Sequence, residues 1–347
     1  MNFRKIIPAL FLMLSISSIA SAQLQLNGAG ATFPAVIYSK WFDEYKNQTG
    51  VQFNYQAIGS GGGIKQVTEG TVDFGASDGP MNEKQLEEAK SKQNTNILHI
   101  PTVLGAVVVA YNVPGVSGLN LDGNVLADIY LGKIIKWNDS AIKKLNPKLN
   151  LPDKAIVVAH RSDGSGTSFI FTDYLSKVSK EWESKVGKGT SANWPVGLGG
   201  KGNDGVAGLV KQTAGSIGYV ELAYAVQNKI SYANMKNKAG SFVQASFESV
   251  SAAAEGASKK MPSDLRVSIT DPDGKNSYPI SGFTWLLIYQ NMKDQTKAAA
   301  LVNFLKWAMG KGQSFAAELY YAPLPKSVVK MCEKNISTIT ANGKKIK

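Results

Sequence analysis

The sequence predicts an α/β fold in two domains with a cleft between them. Strand-like apolar runs alternate along the chain with amphipathic segments of helical period. Several of the predicted strands end in a glycine-rich turn that carries a hydroxyl residue just before a helix. Of the 347 residues, 325 follow residue 22, which is more than one ordinary hydrophobic core holds.

Residues 1–22 have the pattern of a cleavable secretory signal peptide. Arg4 and Lys5 supply the positive start, residues 6–14 the short apolar core, and Ala20-Ser21-Ala22 a small-residue cleavage site. The apolar core is far shorter than the roughly 20 residues that span a bilayer. The next residue is Gln23 rather than a cysteine that could carry a lipid. We therefore expect a soluble, exported protein whose mature chain begins at Gln23.

Composition excludes several classes of function. Cys332 is the only cysteine, and His99 and His160 are the only histidines, which excludes a disulfide scaffold, a thiolate metal cluster and a histidine-rich metal site. The formal net charge is +12, and removing the two basic residues of the signal leaves +10. Because the lysines are spread singly and no basic run is interleaved with aromatic residues, we expect no nucleic-acid partner. The positive potential instead favours small anions.

Short strands before the middle of the chain are predicted to end in binding turns. The turn 28–34 carries Thr32 and leads into a helix at 37–45, and the glycine loop 58–66 carries Ser60 before another helix. A further strand ends at Asp78, in the position where α/β proteins place ligand-binding groups. Each turn alone is also explained by a capped helix, whereas the set together favours a binding site. The strands themselves are predicted at 24–26, 51–55 and 72–76.

Asp78 constrains the ligand that such a site would take. A carboxylate repels an oxyanion at close range unless the ligand carries a proton that the carboxylate accepts. Phosphate near neutral pH keeps at least one hydroxyl, whereas sulfate is fully ionised. Asp78 is therefore predicted to select phosphate over sulfate.

The strongest candidate for a binding site is the stretch 160–169, which follows the β-branched run 155–159. We expect a strand, a sharp turn at Gly164, and a helix whose first residues are Ser165-Gly166-Thr167. The unpaired amides and the positive dipole end of this helix attract an anion. Arg161 adds a guanidinium group that matches a tetrahedral oxyanion.

Other interpretations of this stretch remain open or fail on residue type. Asp163 could hold Arg161 in place, but the same residues also make an ordinary strand-to-helix turn with a serine cap. A Walker loop needs lysine where Thr167 stands, the dinucleotide fingerprint lacks its third glycine, and Ser165 is not in a Gly-x-Ser-x-Gly elbow. His160 would lie on the strand face opposite Arg161, so we expect it to be packed or at the surface.

The remaining segments are predicted to shape the cleft rather than to bind the ligand. The runs 104–111, bounded by Pro101 and Pro114, and 278–289 are predicted strands that cross between the domains. In the glycine-dense run 197–205, we expect Asn203 and Asp204 to cap a helix at 206–212 without contacting the ligand. Helices are also predicted at 122–131, 140–145, 247–259, 297–309 and 314–319, a strand at 216–220, and a solvated tail at 342–347.

The ordered set of segments 28–34, 58–60, 72–78, 161–169 and 197–205 closely resembles the periplasmic phosphate-binding proteins of Pst-type ABC transporters. The resemblance covers essentially the whole mature chain, and the set is specific although each segment alone is not. It implies a type II periplasmic-binding-protein fold, in which two α/β lobes joined by two hinge strands close on one phosphate ion. Lobe I is expected at 23–104 and 279–347, and lobe II at 105–278.

The resemblance also implies roles for individual residues. By position, the expected phosphate contacts are Thr32, Phe33, Ser60, Asp78 as proton acceptor, Arg161, Ser165, Gly166 and Thr167, with Asp163 orienting Arg161. Phe33 is the one residue in this set that is named because of the resemblance alone. The other residues are also predicted from turn chemistry. His160 stands where a further basic residue is expected in relatives, which would soften the local potential without removing the site.

The resemblance finally implies a partner and a compartment. The expected protein is a periplasmic monomer that delivers phosphate to the membrane permease of an ABC transporter, without a cofactor, a metal or catalysis. Two alternatives remain open at this point. One is a binding protein for another oxyanion such as sulfate or arsenate, and the other is a secreted phosphatase with Ser60 or Ser165 as nucleophile, which lacks a plausible base.

Overall fold

A computed structural model describes residues 23–258 and 261–346 of the chain. The predicted signal peptide at 1–22, residue 259 at the end of a predicted helix, and residue 347 lie outside these residues. The strands are β1 (Gln25–Gly30), β2 (Gln52–Ala57), β3 (Phe74–Ser77), β4 (Ile97–Asn112), β5 (Asn120–Leu121), β6 (Val157–Arg161), β7 (Leu198–Gly200), β8 (Ser216–Glu221), β9 (Ser231–Tyr232), β10 (Asn234–Lys236), β11 (Phe242–Val243), β12 (Ser281–Tyr289), β13 (Asn291–Met292), β14 (Thr340–Ala341) and β15 (Lys344–Lys345).

The helices alternate with these strands, as the sequence predicts. They are α1 (Ala35–Thr49), α2 (Ser60–Glu69), α3 (Glu83–Gln93), α4 (Gly123–Tyr130), α5 (Ser140–Leu145), α6 (Gly166–Val178), α7 (Lys180–Lys185), α8 (Gly202–Gln212), α9 (Leu222–Gln227), α10 (Phe247–Ser258), α11 (Gln295–Met309) and α12 (Lys326–Ile336). In the described part of the chain, each helix is too short or too polar to traverse a bilayer.

One mixed sheet organises the molecule around the long strand β4. The strand order is β2-β1-β3-β12-β4-β8-β6-β7, with β9 also pairing to β4. Residues 97–106 of β4 pair with β12, and residues 107–112 pair with β8. The sheet therefore has a first half (β1, β2, β3 and β12) and a second half (β6, β7 and β8), which β4 connects.

The carboxyl ends of the parallel strands in the two halves of the sheet meet in one region. In the first half β1 is parallel to β2 and β3, and in the second half β6 is parallel to β7 and β8. Turns that follow parallel strands gather at one edge of a sheet, where α/β proteins bind their ligands. The turns of the two halves touch, since the Gly61 N–H donates to the Gly164 carbonyl at 2.9 Å.

Strand β4 differs from its predicted bounds because it runs through Pro101. The register with β12 shifts between Thr284 and Trp285, which pair with Val103 and Pro101, so that Thr102 is an extra residue on β4. A β-bulge of this kind accommodates a proline, which has no N–H to donate to its neighbour. A proline that reads as a strand boundary in the sequence is therefore part of the strand.

Other differences concern glycines and chain ends. The glycines at 61–63, predicted as a loop, form the first turn of α2. The predicted helix 314–319 consists of two 3₁₀ turns, Lys311–Phe315 and Ala317–Leu319. The predicted tail includes the strand β15, which pairs with β14. Helices α3, α7, α9 and α12 were not predicted.

A buried carboxylate attaches the segment before β12 to helix α6. The Asp173 side chain is only 1% exposed and accepts hydrogen bonds from Lys188 at 2.7 Å and from the Thr270 hydroxyl at 2.5 Å, with Ser268 as a further donor. Burial alone would raise the pKa of Asp173, but these hydrogen bonds lower it to about 2. The fold therefore favours the ionised form.

Replacing Asp173 with asparagine should lower the free energy of unfolding by about 1–3 kcal/mol at pH 7, because charge-assisted hydrogen bonds become neutral ones. A depressed pKa contributes stability above the unfolded-state value, and this contribution is lost as pH falls toward the folded-state value of about 2. Urea unfolding at pH 7 and pH 3 should therefore show a smaller difference between the two proteins at pH 3. Asp43→Asn, at an exposed position of α1, is the control; an equal loss in both variants would contradict the prediction.

Candidate functional site

The predicted ligand residues lie at or just after the carboxyl ends of parallel strands in both sheet halves. Those from the first half follow β1, β2 and β3; in the second half Arg161 is the last residue of β6 and the others follow it. All of them are buried although most are polar: Thr32, Phe33, Ser60, Asp78, Arg161, Ser165, Gly166 and Thr167. Buried polar side chains require hydrogen-bond partners, so their remaining donors and acceptors indicate what the site can hold.

The amino-terminal end of α6 is the anion-attracting element of the second half. Ser165 is the cap residue rather than the first helical residue, and its Oγ accepts from the Ser168 N–H at 3.0 Å. The helix begins at Gly166, so the N–H groups of Gly166 and Thr167 have no partner within it. Together with the dipole of the helix, these groups favour a negative charge in front of α6.

Close packing explains the two glycines of this turn. A Cβ atom on Gly164 would lie 3.0 Å from the Gly61 Cα, so that glycine is needed for the approach of the two halves and not, as predicted, for the angles of a sharp turn. A Cβ on Gly166 would lie 2.5 Å from Ser60 Oγ and 2.5 Å from Asp78 Oδ2. The first turn of α6 therefore directly faces Ser60 and Asp78 of the first half.

Arg161 is held as predicted by Asp163. The Arg161 Nε and Nη2 groups donate to the two Asp163 carboxylate oxygens at 2.8 and 2.5 Å, and Nη1 lies 3.4 Å from Thr167 Oγ1. Burial alone would raise the pKa of Asp163, but the hydrogen bonds from Arg161 and from the Gly202 N–H lower it. The Arg161 side chain is 1% exposed, so its charge acts in the interior of the site.

Asp78 is the second carboxyl group of the site; it is buried, and it accepts fewer hydrogen bonds than Asp163 does. The Thr284 hydroxyl donates to Asp78 Oδ1 at 2.8 Å, and the Asp78 N–H donates to Ser60 Oγ at 3.1 Å. Burial raises the pKa of Asp78 to about 7, although the hydrogen bond from Thr284 and the charge of Arg161 oppose this shift. Asp78 can therefore exchange a proton with a ligand near neutral pH.

Tyrosines fix the backbone of the turn that follows β1. The Tyr224 hydroxyl donates to the Thr32 carbonyl at 2.6 Å, and the Tyr321 hydroxyl donates to the Phe33 carbonyl at 2.7 Å. Because Tyr224 belongs to α9 in the second half, the first of these bonds also ties the two halves together. The peptide groups around Thr32 and Phe33 are thus held in place before a ligand enters.

His160 is packed, as predicted. Its ring stacks on Trp194, with 4.9 Å between the ring centroids and 11° between the planes. The Nδ1 atom lies 3.0 Å from the Arg161 carbonyl oxygen.

The prediction for Asn203 is wrong, because Asn203 does not cap α8. This helix starts at Gly202, after Lys201, and its cap residue makes no side-chain hydrogen bond. The Asn203 Nδ2 instead lies 2.8 Å from Thr32 Oγ1 and 3.2 Å from Thr167 Oγ1. A signal was present in the sequence, since Asn203 follows a strand in a glycine-rich turn just as Thr32 does.

These features define a class of protein in which the turns of two sheet halves meet at a buried site whose free N–H groups attract an anion. A family model described as a PBP superfamily domain matches residues 17–311, and the chain belongs to that superfamily. The solved structure of a phosphate-binding protein from Stenotrophomonas maltophilia has a TM-score of 0.67 to this chain at 22% identity, covering 89% of this chain and 93% of the other. At this identity the likeness supports the fold alone.

Two relatives identify the family to which the chain belongs within this superfamily. The chain is 46% identical over 331 residues to the phosphate-binding protein PstS of Pasteurella multocida, covering 95% of this chain and 94% of the relative. It is 48% identical over 312 residues to PstS of Xylella fastidiosa strain 9a5c, covering 89% and 84%. The chain belongs to the PstS family of phosphate-binding proteins.

Proposed function

We propose that this chain binds inorganic phosphate with high affinity in the periplasm and delivers it to the membrane permease of a phosphate ABC transporter. The observation that carries the proposal is the contact of the α6 amino terminus with Ser60 and Asp78, which joins anion donors and a proton acceptor from opposite halves of the sheet. The relatives named PstS support the same ligand. The chain acts by binding alone, as a monomer, after cleavage of the signal at 1–22.

The proposed ligand contacts are the eight residues that the sequence predicts. Donors are the Thr32, Ser60, Ser165 and Thr167 hydroxyls, the backbone N–H groups of Thr32, Phe33 and Gly166, and the Arg161 guanidinium; Asp78 accepts the ligand's proton. The guanidinium has five N–H groups, of which three are directed at Asp163 and Thr167, leaving two for the ligand. Each charge-assisted bond contributes roughly 1.5–3 kcal/mol net, which offsets the cost of removing water from the anion.

Closure follows from this division of donors. We assign residues 23–104 and 279–347 to lobe I and residues 105–278 to lobe II, with β4 and the segment leading into β12 as the hinge. Phosphate contacts from both lobes exist only when the lobes meet, so the ligand stabilises the closed form by its differential affinity. The permease would then receive a closed, loaded protein.

Calorimetry on residues 23–347 tests the proposal. We expect tight 1:1 binding of phosphate, and at pH 8 sulfate binding weaker by at least about tenfold, because a fully ionised anion offers the Asp78 carboxylate no proton. Sulfate binding as tight as phosphate binding would refute the assigned ligand. Turnover of a chromogenic phosphate ester that Ser165→Ala abolishes would instead establish a phosphatase.

Gly166→Ala should weaken phosphate binding by at least about tenfold, because its methyl group would overlap Ser60 Oγ and Asp78 Oδ2 and keep the lobes apart. Small-angle scattering with saturating phosphate should show a larger radius of gyration than for the unchanged protein. Gly208→Ala is the matched control, since no atom lies within 4 Å of the added Cβ on α8. Equal affinities of the two variants would show that the lobes do not close against Gly166.

A further inference from the structure

Asn203 links the two sheet halves through hydroxyl groups that belong to the proposed phosphate site. It lies in the first turn of α8, which follows β7 in the second half, and it is fully buried. Its Nδ2 donates to Thr32 Oγ1 of the first half and to Thr167 Oγ1 of the second half. Asn203 is not among the ligand contacts predicted from the sequence, although it connects two of them.

The orientation of the Asn203 amide is fixed by a backbone group that can only donate. The Glu221 N–H donates to Asn203 Oδ1 at 3.0 Å. Because a backbone N–H requires an acceptor, the oxygen must face Glu221 and the NH₂ group must face the two threonines. The amide therefore supplies hydrogen atoms, and not lone pairs, to Thr32 and Thr167.

This arrangement occupies every acceptor position on both threonine hydroxyls. Thr32 Oγ1 accepts from the Asn203 N–H at 3.2 Å and from Nδ2 at 2.8 Å. Thr167 Oγ1 accepts from Asn203 Nδ2 at 3.2 Å and from Arg161 Nη1 at 3.4 Å. A hydroxyl oxygen has two lone pairs and one hydrogen, so each group retains only its hydrogen. Among residues 23–258 and 261–346, no acceptor takes either hydrogen.

We propose that Asn203 is a positioning residue that fixes the Thr32 and Thr167 hydroxyls as donors to the bound anion. A free hydroxyl rotates and can also accept a hydrogen bond from a ligand, whereas these two can only donate one. Asn203 thereby strengthens binding of any tetrahedral oxyanion and leaves Asp78 to accept the ligand's proton. The same hydrogen bonds also stabilise the closed form, because Thr32 and Thr167 contact Asn203 at the same time only when the two halves meet. This inference rests on the proposed function.

The test is a double-mutant cycle measured by phosphate calorimetry. Asn203→Asp is nearly isosteric and keeps the acceptor for the Glu221 N–H, but it offers the threonines an acceptor, so that their hydrogens turn away from the ligand. We expect phosphate affinity to fall by at least about 100-fold, because two hydrogen bonds to the anion are lost and the added carboxylate repels it. The added negative charge repels the anion in every background, so the positioning effect is the part of the loss that disappears in a Thr32→Val, Thr167→Val background, and we expect this part to be at least about tenfold.

Two comparisons keep the result interpretable. Thr172→Val removes a buried hydroxyl of α6 that donates to the Ser168 carbonyl at 2.8 Å, and in this background Asn203→Asp should keep its full effect. Thermal unfolding without phosphate identifies variants that fail to fold. If Asn203→Asp does not fold, Asn203→Ala replaces it in the cycle, with an expected loss of about tenfold that again disappears in the double-valine background.

The outcomes separate this inference from the proposed function. A loss of equal size with and without the threonine hydroxyls would overturn the positioning role and leave phosphate binding intact. An Asn203→Asp protein that binds phosphate as tightly as the unchanged protein would also overturn it. Absence of phosphate binding by the unchanged protein would refute the proposed function itself, whatever the variants do.

Discussion

Replacing Arg161 with methionine is expected to weaken phosphate binding by about 10²- to 10⁴-fold. Methionine fills a similar volume but removes the two N–H groups that Asp163 and Thr167 leave for the ligand, each worth roughly 1.5–3 kcal/mol as a charge-assisted bond. It also removes the positive charge of Arg161, which lowers the pKa of Asp78 in the buried site. The anion would then approach Asp78 and Asp163 without compensation.

Calorimetry on Arg161→Met, Arg161→Lys and Asp163→Asn separates these contributions. Lysine keeps the charge but loses the planar fork, so its affinity should lie between those of the methionine variant and the unchanged protein. Asp163→Asn keeps the guanidinium, and the loss should be the smallest of the three. If Arg161→Met binds phosphate within tenfold of the unchanged protein while retaining its unfolding temperature, Arg161 does not contact the ligand.

The turns that hold these residues could be predicted because their function depends on local chemistry. A strand, a glycine and a hydroxyl before a helix define an exposed set of N–H groups wherever they occur, as at Thr32 and Ser165. The parallel arrangement then brings the ends of β1, β3 and β6 together. The pairing of Arg161 with Asp163 follows from a spacing of two residues in a turn, which is also local.

The features that escaped prediction depend on contacts between distant segments. Asn203 resembles a helix cap in sequence, and its role appears only when Thr32, 171 positions away, is placed beside it. Pro101 reads as the end of a strand until β12 supplies the bulge that accommodates it. Gly164 and Gly166 are required because the opposite half lies against them, which no local pattern records. At these positions the structure is therefore determined by tertiary packing and not by the local preferences of the residues.

Changing Asp78 to asparagine should raise the affinity for sulfate relative to phosphate by about 10²- to 10³-fold at pH 8. Contact between two desolvated negative groups costs several kcal/mol, and asparagine replaces this repulsion with a hydrogen-bond donor. Phosphate loses the acceptor for its proton in the same change. Competition calorimetry with both anions on both proteins measures the ratio, and an unchanged ratio would exclude Asp78 as the selective group.

The pH dependence of sulfate binding provides a sharper form of this test, because sulfate remains fully ionised throughout. Burial raises the pKa of Asp78 to about 7, so below this pH the carboxyl group carries a proton that it can donate to sulfate, and above it the carboxylate repels sulfate. The competent, protonated fraction is about nine tenths at pH 6 and about one tenth at pH 8. Sulfate affinity of the unchanged protein should therefore rise about tenfold from pH 8 to pH 6.

The asparagine variant is the control for every other titrating group. It lacks the Asp78 carboxyl group but retains the Arg161–Asp163 ion pair and Glu221. Burial raises the pKa of Glu221 as well. The sulfate affinity of the variant should be constant between pH 6 and pH 8. A rise of similar size in both proteins would assign the proton to Glu221 or another group, and a flat profile in the unchanged protein would show that Asp78 stays in one protonation state across this range. The selectivity for phosphate would then rest on the number of donors in the site instead of on the exchange of a proton.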